Sequence, residues 1–421
     1  MHTSRCHNID RTRHSRIHSS PAKRIARITL FAKPTTGDTL KTWENRIRAF
    51  HASGRQAVLA ITGGGSAAIS RLLAVPGGSR SVLEAVVPYA NAALSEWLSR
   101  EPDAYCSAET ALMMATVAWQ RAARLAGDTQ NAVGASCTAS LSSDQPKRGA
   151  HRCWIAMQTA HDTRLTQLTL TKGARSRAEE EALVADLVLA ALFGAAGVEA
   201  SVRHTLIGDE MLQQQLVRPP ELIREVWTGE RSHVWVRADG AVSAQIAGRP
   251  RGLIPGSFNP LHAGHRELRA VAQAMLGGPV AFELTIANAD KPRLDFVSIE
   301  QRLAQFQGEP LAITCAPLFI DKARVFPHTT FVVGFDTAAR LVDPRFYGDS
   351  VTRMHAALAE LRSHGARFLV AGGLTNAAFQ TADKLLLPAG FDDLFDSIPE
   401  SRFRADISST TLRKAAQQDT G

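Results

Sequence analysis

A chain of 421 residues exceeds what one hydrophobic core organises, so two domains are expected. With 45% hydrophobic and 21% charged residues, its composition excludes an intrinsically disordered chain. The formal net charge of +8 gathers at the amino end, where Arg5, Arg11, Arg13, Arg16, Lys23, Arg24 and Arg27 face only Asp10, and a tail of this kind is no groove-reading nucleic-acid surface. Residues 1–38 read as a basic, disordered tail; organelle transit peptides share this acid-poor composition, but a solvated extension is the simpler reading. The longest apolar run, 187–198, is too short to span a bilayer and follows Asp186, so it reads as a buried helix. The five cysteines, Cys6, Cys106, Cys137, Cys153 and Cys315, are odd in number and contain no CxxC pair, which signals neither a disulfide framework nor a zinc site. The expected location is the cytoplasm, with no membrane and no nucleic-acid partner.

Residues 39–200 alternate short apolar runs with Ala-rich amphipathic segments, the pattern of a layered α/β domain. A strand is predicted over 57–61, running into Gly63-Gly64-Gly65, then a helix over 66–73, strands over 151–159 and 164–171, and a long helix over 176–193. Residues 201–250 read as a linker, because Pro219-Pro220 breaks any helix and 234–237 with 241–246 around Ala238-Asp239-Gly240 is a hairpin signal. A second α/β domain, 251–421, begins with a strand over 252–254, a helix over 264–275 and a strand over 280–286. Strands over 330–334 and 367–371 follow, and a last helix starts after Ser408. Strands separated by helices imply right-handed crossovers, a parallel sheet and ligands at its carboxyl edge.

That edge carries Gly256-Ser257-Phe258-Asn259-Pro260-Leu261-His262-Ala263-Gly264-His265. Gly256 permits a sharp turn without a Cβ clash, and Pro260 stiffens the loop. His262 and His265 fall three apart at the entry to a helix, so both rings can face an anion held by the helix amino terminus. Ile407-Ser408-Ser409-Thr410-Thr411-Leu412-Arg413 is a second phosphate-seeking stretch: Ser408 or Ser409 caps a helix, and Arg413 on its first turns reaches phosphate oxygens.

Together these two stretches resemble the HxGH nucleotidyltransferase family, in particular its nicotinamide/nicotinate mononucleotide adenylyltransferases. The resemblance implies a Rossmann-like parallel sheet, ATP binding by Gly256, Ser257 and Phe258, and triphosphate binding by Ser408, Ser409, Thr410 and Arg413. It makes His262 and His265 the catalytic donors to phosphate, with no general base, since the attacking mononucleotide phosphate is already an anion. It places Asn259, Lys291, Gly334 and Asp336 at the mononucleotide. Lys291 is otherwise a solvated loop lysine, and Asp336, in the GxD-like Gly334-Phe335-Asp336, otherwise caps a helix over 337–341. Phe346, with Tyr347 beside it, is the candidate to cover the pyridine ring, and Arg302 is either a further phosphate partner or a surface ion-pair residue. Mg²⁺ is expected to arrive on the substrate ATP, with no metal ligands of the protein's own. Where many of these enzymes carry an arginine after the strand at 367–371, this chain has Gly372-Gly373.

Residues 40–198 are similar to the carboxyl-terminal domain of CinA, a family of nicotinamide mononucleotide amidohydrolases, through Ile61-Thr62-Gly63-Gly64-Gly65-Ser66, Val75-Pro76-Gly77-Gly78-Ser79, Tyr89-Ala90-Asn91 and Cys153-Trp154-Ile155-Ala156. The resemblance puts Thr62 where the family has its serine and Leu94 where it has its lysine, and leucine neither removes a proton nor lowers a hydroxyl pKa. The family's glycine-rich loop is eroded to Ser136-Cys137-Thr138-Ala139-Ser140-Leu141. A displaced nucleophile at Ser66 competes with its role as a helix cap. The expectation is a non-hydrolytic module that binds a ligand or mediates homo-oligomerisation, fused to an adenylyltransferase that makes NAD, or its acid form, and pyrophosphate. Two alternatives stay open: another acceptor, such as pantetheine phosphate, a polyol phosphate with CTP, or flavin mononucleotide, and a nucleotide-binding protein without catalysis.

Overall fold

The computed structural model describes residues 36–145, 147–198, 206–287, 292–375 and 378–404, with backbone alone at 36–41, 374–375 and 378. The chain is mixed α/β, built on two large sheets.

The first sheet comprises β1 (Gln56–Thr62), β2 (Val82–Val86), β3 (Ala132–Ser140), β4 (His151–Gln158), β5 (Thr163–Leu170) and β6 (Leu212–Val217), in the order β2-β1-β3-β4-β5-β6. The pairs β2–β1 and β1–β3 are parallel and the remaining pairs antiparallel. Side chains alternate across β1 as a pleated strand requires: Ala57, Leu59 and Ile61 pack with α1 (Thr36–Ala52) through Trp43, Ile47 and Phe50. Ala60 faces the opposite way, against Leu94 and Leu98 of α3 (Asn91–Leu98). The helix α2 (Ala67–Ala74) follows the glycine turn, and α4 (Ala108–Ala126) lies on β3 so closely that a Cβ at Gly134 would stand 2.0 Å from the Ala115 carbonyl oxygen. The stretch that reads as an eroded glycine loop, 136–141, is thus mostly the end of central strand β3, whose residues 132–139 are all buried. The predicted helix over 176–193 is α5 (Arg177–Ala195), opened by a capping box between Ser176 and Glu179.

The segment read as a linker completes both sheets. Its β6 closes the first sheet beside β5, and α6 (Glu221–Thr228) follows. The hairpin of β7 (His233–Val236) and β8 (Val242–Ser243) extends the second sheet.

That second sheet continues with β9 (Gly252–Gly256), α7 (Ala263–Leu276), β10 (Val280–Thr285), α8 (Phe296–Leu303), β11 (Leu311–Thr314), α9 (Phe319–Val325), β12 (Thr330–Gly334), α10 (Phe335–Leu341), α11 (Val351–Ser363) and β13 (Arg367–Ala371). A small hairpin, β14 (Gly373–Thr375) and β15 (Ala378–Gln380), precedes the edge strand β16 (Phe395–Ser397). The order is β16-β13-β12-β9-β10-β11-β7-β8; the strands from β16 to β11 are parallel, and β7 joins antiparallel. Successive strands run to one side of β9 and then to the other, so the chain reverses between β9 and β12, the point where doubly wound sheets bind ligands. Pairing there is limited to Gly252 with Thr330 and Leu253 with Phe331, whereas β9–β10 and β12–β13 each pair over five positions. Beyond Leu253 and Phe331 the carboxyl halves of β9 and β12 no longer pair.

Candidate active site

Both the histidine stretch and Gly334-Phe335-Asp336 leave the sheet at this reversal, the first from the end of β9 and the second from the end of β12. The loop after β9 is shaped by Phe258. Its ring is 1% exposed and packs edge-on against Phe282 and Phe306, at centroid distances of 5.3 and 5.1 Å. Phe258 takes a φ of 43°, in the left-handed region that costs a non-glycine residue free energy. A Cβ at Gly256 would meet that ring at 2.7 Å, so the glycine is required by the loop's own aromatic residue. Phe258 can therefore offer a ligand only its backbone. The Asn259–Pro260 peptide is cis.

Two residues at the carboxyl end of α8, between β10 and β11, hold the loop from outside. Gln305 accepts from the Leu261 amide at 2.7 Å and donates to the Phe258 carbonyl at 3.2 Å. Arg302, near the end of α8, donates to the Ser257 carbonyl at 2.9 Å, which gives it a positioning partner in addition to any anion it meets. Sequence alone does not point to Gln305, because nothing in its spacing relates it to residues some forty positions earlier.

The structure brings His262 and His265 together at the start of α7, with ring centroids 3.8 Å apart and planes tilted by 34°. The His262 amide donates to His265 Nδ1 at 3.2 Å, so this nitrogen is unprotonated and the neutral ring carries its proton on Nε2. Burial, with His262 and Arg266 adding like charge, pushes the His265 pKa down to about 4. Burial also lowers that of His262. The His265 ring is therefore neutral at pH 7, a state in which an imidazole accepts at one nitrogen and donates from the other. His262 Nδ1 is buried without a hydrogen-bond partner among the described residues.

Gly334 and Asp336 are exposed at the start of α10, and a Cβ at Gly334 would meet nothing within 4 Å. Phe346 is 57% exposed, with the Arg340 guanidinium 5.5 Å from its ring centre, while the Tyr347 hydroxyl donates to the Leu341 carbonyl. Of this aromatic pair Phe346 has the more open face. The Gly372 position is filled from outside: a Cβ there would stand 2.6 Å from the Phe379 ring. Lys291, Ser408, Ser409, Thr410 and Arg413 lie outside the described residues. Among the described residues no group of three or more His, Cys, Asp and Glu side chains is placed to hold a metal ion, and no helix is long and apolar enough to cross a membrane.

In the first domain, Thr62 is buried at the end of β1, and Leu94 is 2% exposed in an apolar cluster with Ala60, Leu98 and Met114. The turn before α2 is occupied by the chain itself. Glu181 accepts from the Gly65 amide at 2.8 Å, the Ser66 hydroxyl at 3.1 Å and the Ala67 amide at 3.2 Å. Its carboxylate sits where the amino end of a helix otherwise receives an external anion.

Residues 253–415 match the cytidylyltransferase-like family. No curated protein sequence matches the chain. Among solved structures, competence/damage inducible protein CihA from Agrobacterium tumefaciens is similar at 19% identity, covering 40% of this chain and 98% of that one with a TM-score of 0.31. A competence-damaged protein (CinA) superfamily protein from Escherichia coli is similar at 17% identity, covering 39% of this chain and 95% of that one with a TM-score of 0.32. These structural neighbours cover the amino-terminal part of the chain.

Proposed function

We propose that the second domain joins ATP to nicotinamide or nicotinate mononucleotide, forming the dinucleotide and releasing pyrophosphate. The observation that carries this reading is the neutral His265, its Nδ1 engaged by the His262 amide and its Nε2–H left to donate, at the reversal of a parallel sheet. The match of 253–415 to cytidylyltransferase-like proteins supports nucleotidyl transfer as the reaction class; the adenylyl donor and pyridine acceptor rest on the resemblance of the histidine stretch.

A mononucleotide phosphate oxygen attacks the α-phosphorus of ATP, a new P–O bond forms, and the bond to the bridging oxygen breaks, with pyrophosphate leaving as an anion. The attacking group needs no deprotonation. The protein's contribution is alignment and stabilisation of the negative charge that gathers on the α-phosphoryl oxygens, which a fixed imidazole N–H supplies without reorganisation. Mg²⁺ enters on the triphosphate, held by phosphate oxygens and water. Pyrophosphate release is measured with ATP and each mononucleotide in turn, and with CTP as the competing donor. The wild type is expected to turn over with ATP and at least one pyridine mononucleotide. His265→Ala is expected to lower kcat by on the order of a hundredfold or more with a smaller change in KM. An unchanged kcat in that variant would contradict the assignment.

On the same reading the first domain hydrolyses no amide. Leu94 in its apolar cluster offers no titratable group, and the Glu181 carboxylate fills the turn before α2. Ammonia release from nicotinamide mononucleotide by the full chain, abolished by Thr62→Val or Ser66→Ala, would refute this.

A further inference from the structure

The first domain reaches the histidine loop through α8. At the amino end of this helix the Phe296 amide donates to Thr163 Oγ1 of β5 at 3.0 Å, in a fully buried position. The Phe296 ring lies 4.8 Å from Trp227 of α6, and Trp227 in turn lies 4.2 Å from Trp119 of α4. Trp227 is 0% exposed, and its indole N–H donates to the Leu294 carbonyl at 2.7 Å. At the other end, Arg302 and Gln305 hold the carbonyls of Ser257 and Phe258 and the amide of Leu261. Between these two sets of contacts stands a helix of eight residues, about 12 Å long at 1.5 Å per residue. One end is clamped by the first domain and the other grips the loop that presents His262 and His265.

We propose that the first domain serves as a positioning element for the histidine loop, with Thr163 and Trp119 fixing the amino end of α8 and Gln305 and Arg302 transmitting that position to residues 257–261. Thr163 is well suited to the role, because its hydroxyl donates to Gln158 Oε1 at 2.5 Å, which orients its oxygen to accept from Phe296. The module thereby contributes to catalysis without any chemistry of its own.

The test uses the full chain. Thr163→Val keeps the side-chain shape and removes the acceptor, Thr163→Ser keeps the acceptor, and Trp119→Leu loosens the aromatic stack independently. The first readout is hydrogen exchange at the Leu261 amide, which does not depend on activity. Thr163→Val is expected to speed it roughly fivefold, the effect of weakening about one hydrogen bond, while Ala135 in β3 is unchanged. The second readout, which rests on the proposed nucleotidyl transfer, is a fall in kcat on the order of tenfold with KM moving less. Thr163→Ser is expected to restore both. If Thr163→Val and Trp119→Leu fold and leave Leu261 exchange at the wild-type rate, the proposal is overturned. If the wild type transfers no nucleotide, the enzymatic reading fails, and exchange at Leu261 alone decides the coupling.

Discussion

Gly256 shows how one position sets the shape of the loop. An added methyl would meet the Phe258 ring at 2.7 Å, and that ring is held by Phe282 and Phe306, so it has nowhere to turn. Gly256→Ala is expected to cost about 1–3 kcal/mol, read as a lower denaturant midpoint, and to reduce turnover through displacement of Ser257 and Phe258. His265 carries a second prediction. Its pKa is near 4 in the fold against an ordinary value of 6.5, so between these limits the unfolded chain takes up a proton that the folded chain refuses. Stability from this group is therefore fully present above pH 6.5 and is lost as the pH falls toward 4. Denaturant midpoints measured at pH 7 and pH 5 are expected to fall less in His265→Gln than in the wild type; an equal fall would contradict the assignment. The spacing of His262 and His265 was enough to place them together at a helix entry. What kept the real partner of Gly256 out of view is that Phe258 turns back on the glycine only because Phe282 and Phe306 receive its ring.

At the scale of elements, α8 is the one with the most to hold. Asp295 caps it, accepting from the Ser298 amide at 2.9 Å and the Ser298 hydroxyl at 2.6 Å, and burial raises its pKa. Asp295→Ala is expected to cost about 1 kcal/mol in stability, measured by denaturant unfolding, and to lower kcat more than it raises KM if α8 sets the loop's position. The strands predicted over 252–254, 330–334 and 367–371 were legible because each is a short apolar run beside a turn or a helical pattern, the first extending to Gly256 in the fold. Strand β3 was not. Its Ala-, Gly- and Ser-rich sequence has little strand character, and its residues are small because the α4 backbone lies directly on Gly134. Such a requirement comes from a helix packed over the strand and leaves no periodic trace.

Across the whole molecule, one buried cluster runs from Ala115, Trp119 and Ala156 of the first domain through Trp227 to Phe282 and Phe296 of the second. A shared core of this kind predicts a single cooperative unfolding transition for both domains. Trp227→Ala, which empties the centre of the cluster, is expected to cost about 3–5 kcal/mol and to separate the transition into two, as read by calorimetry. Two transitions in the wild type would contradict the shared core. The segment 201–250 reads as a linker because its short runs do not declare their partners, yet it supplies an edge to each sheet and, on α6, the tryptophan between them. The proposed reaction itself is tested most directly by following a radiolabel at the α-phosphorus of ATP in the presence of a pyridine mononucleotide. The account predicts that the label moves into the dinucleotide while pyrophosphate leaves unlabelled, and that His265→Ala suppresses the transfer; label remaining in the adenine mono-, di- and triphosphates would contradict it.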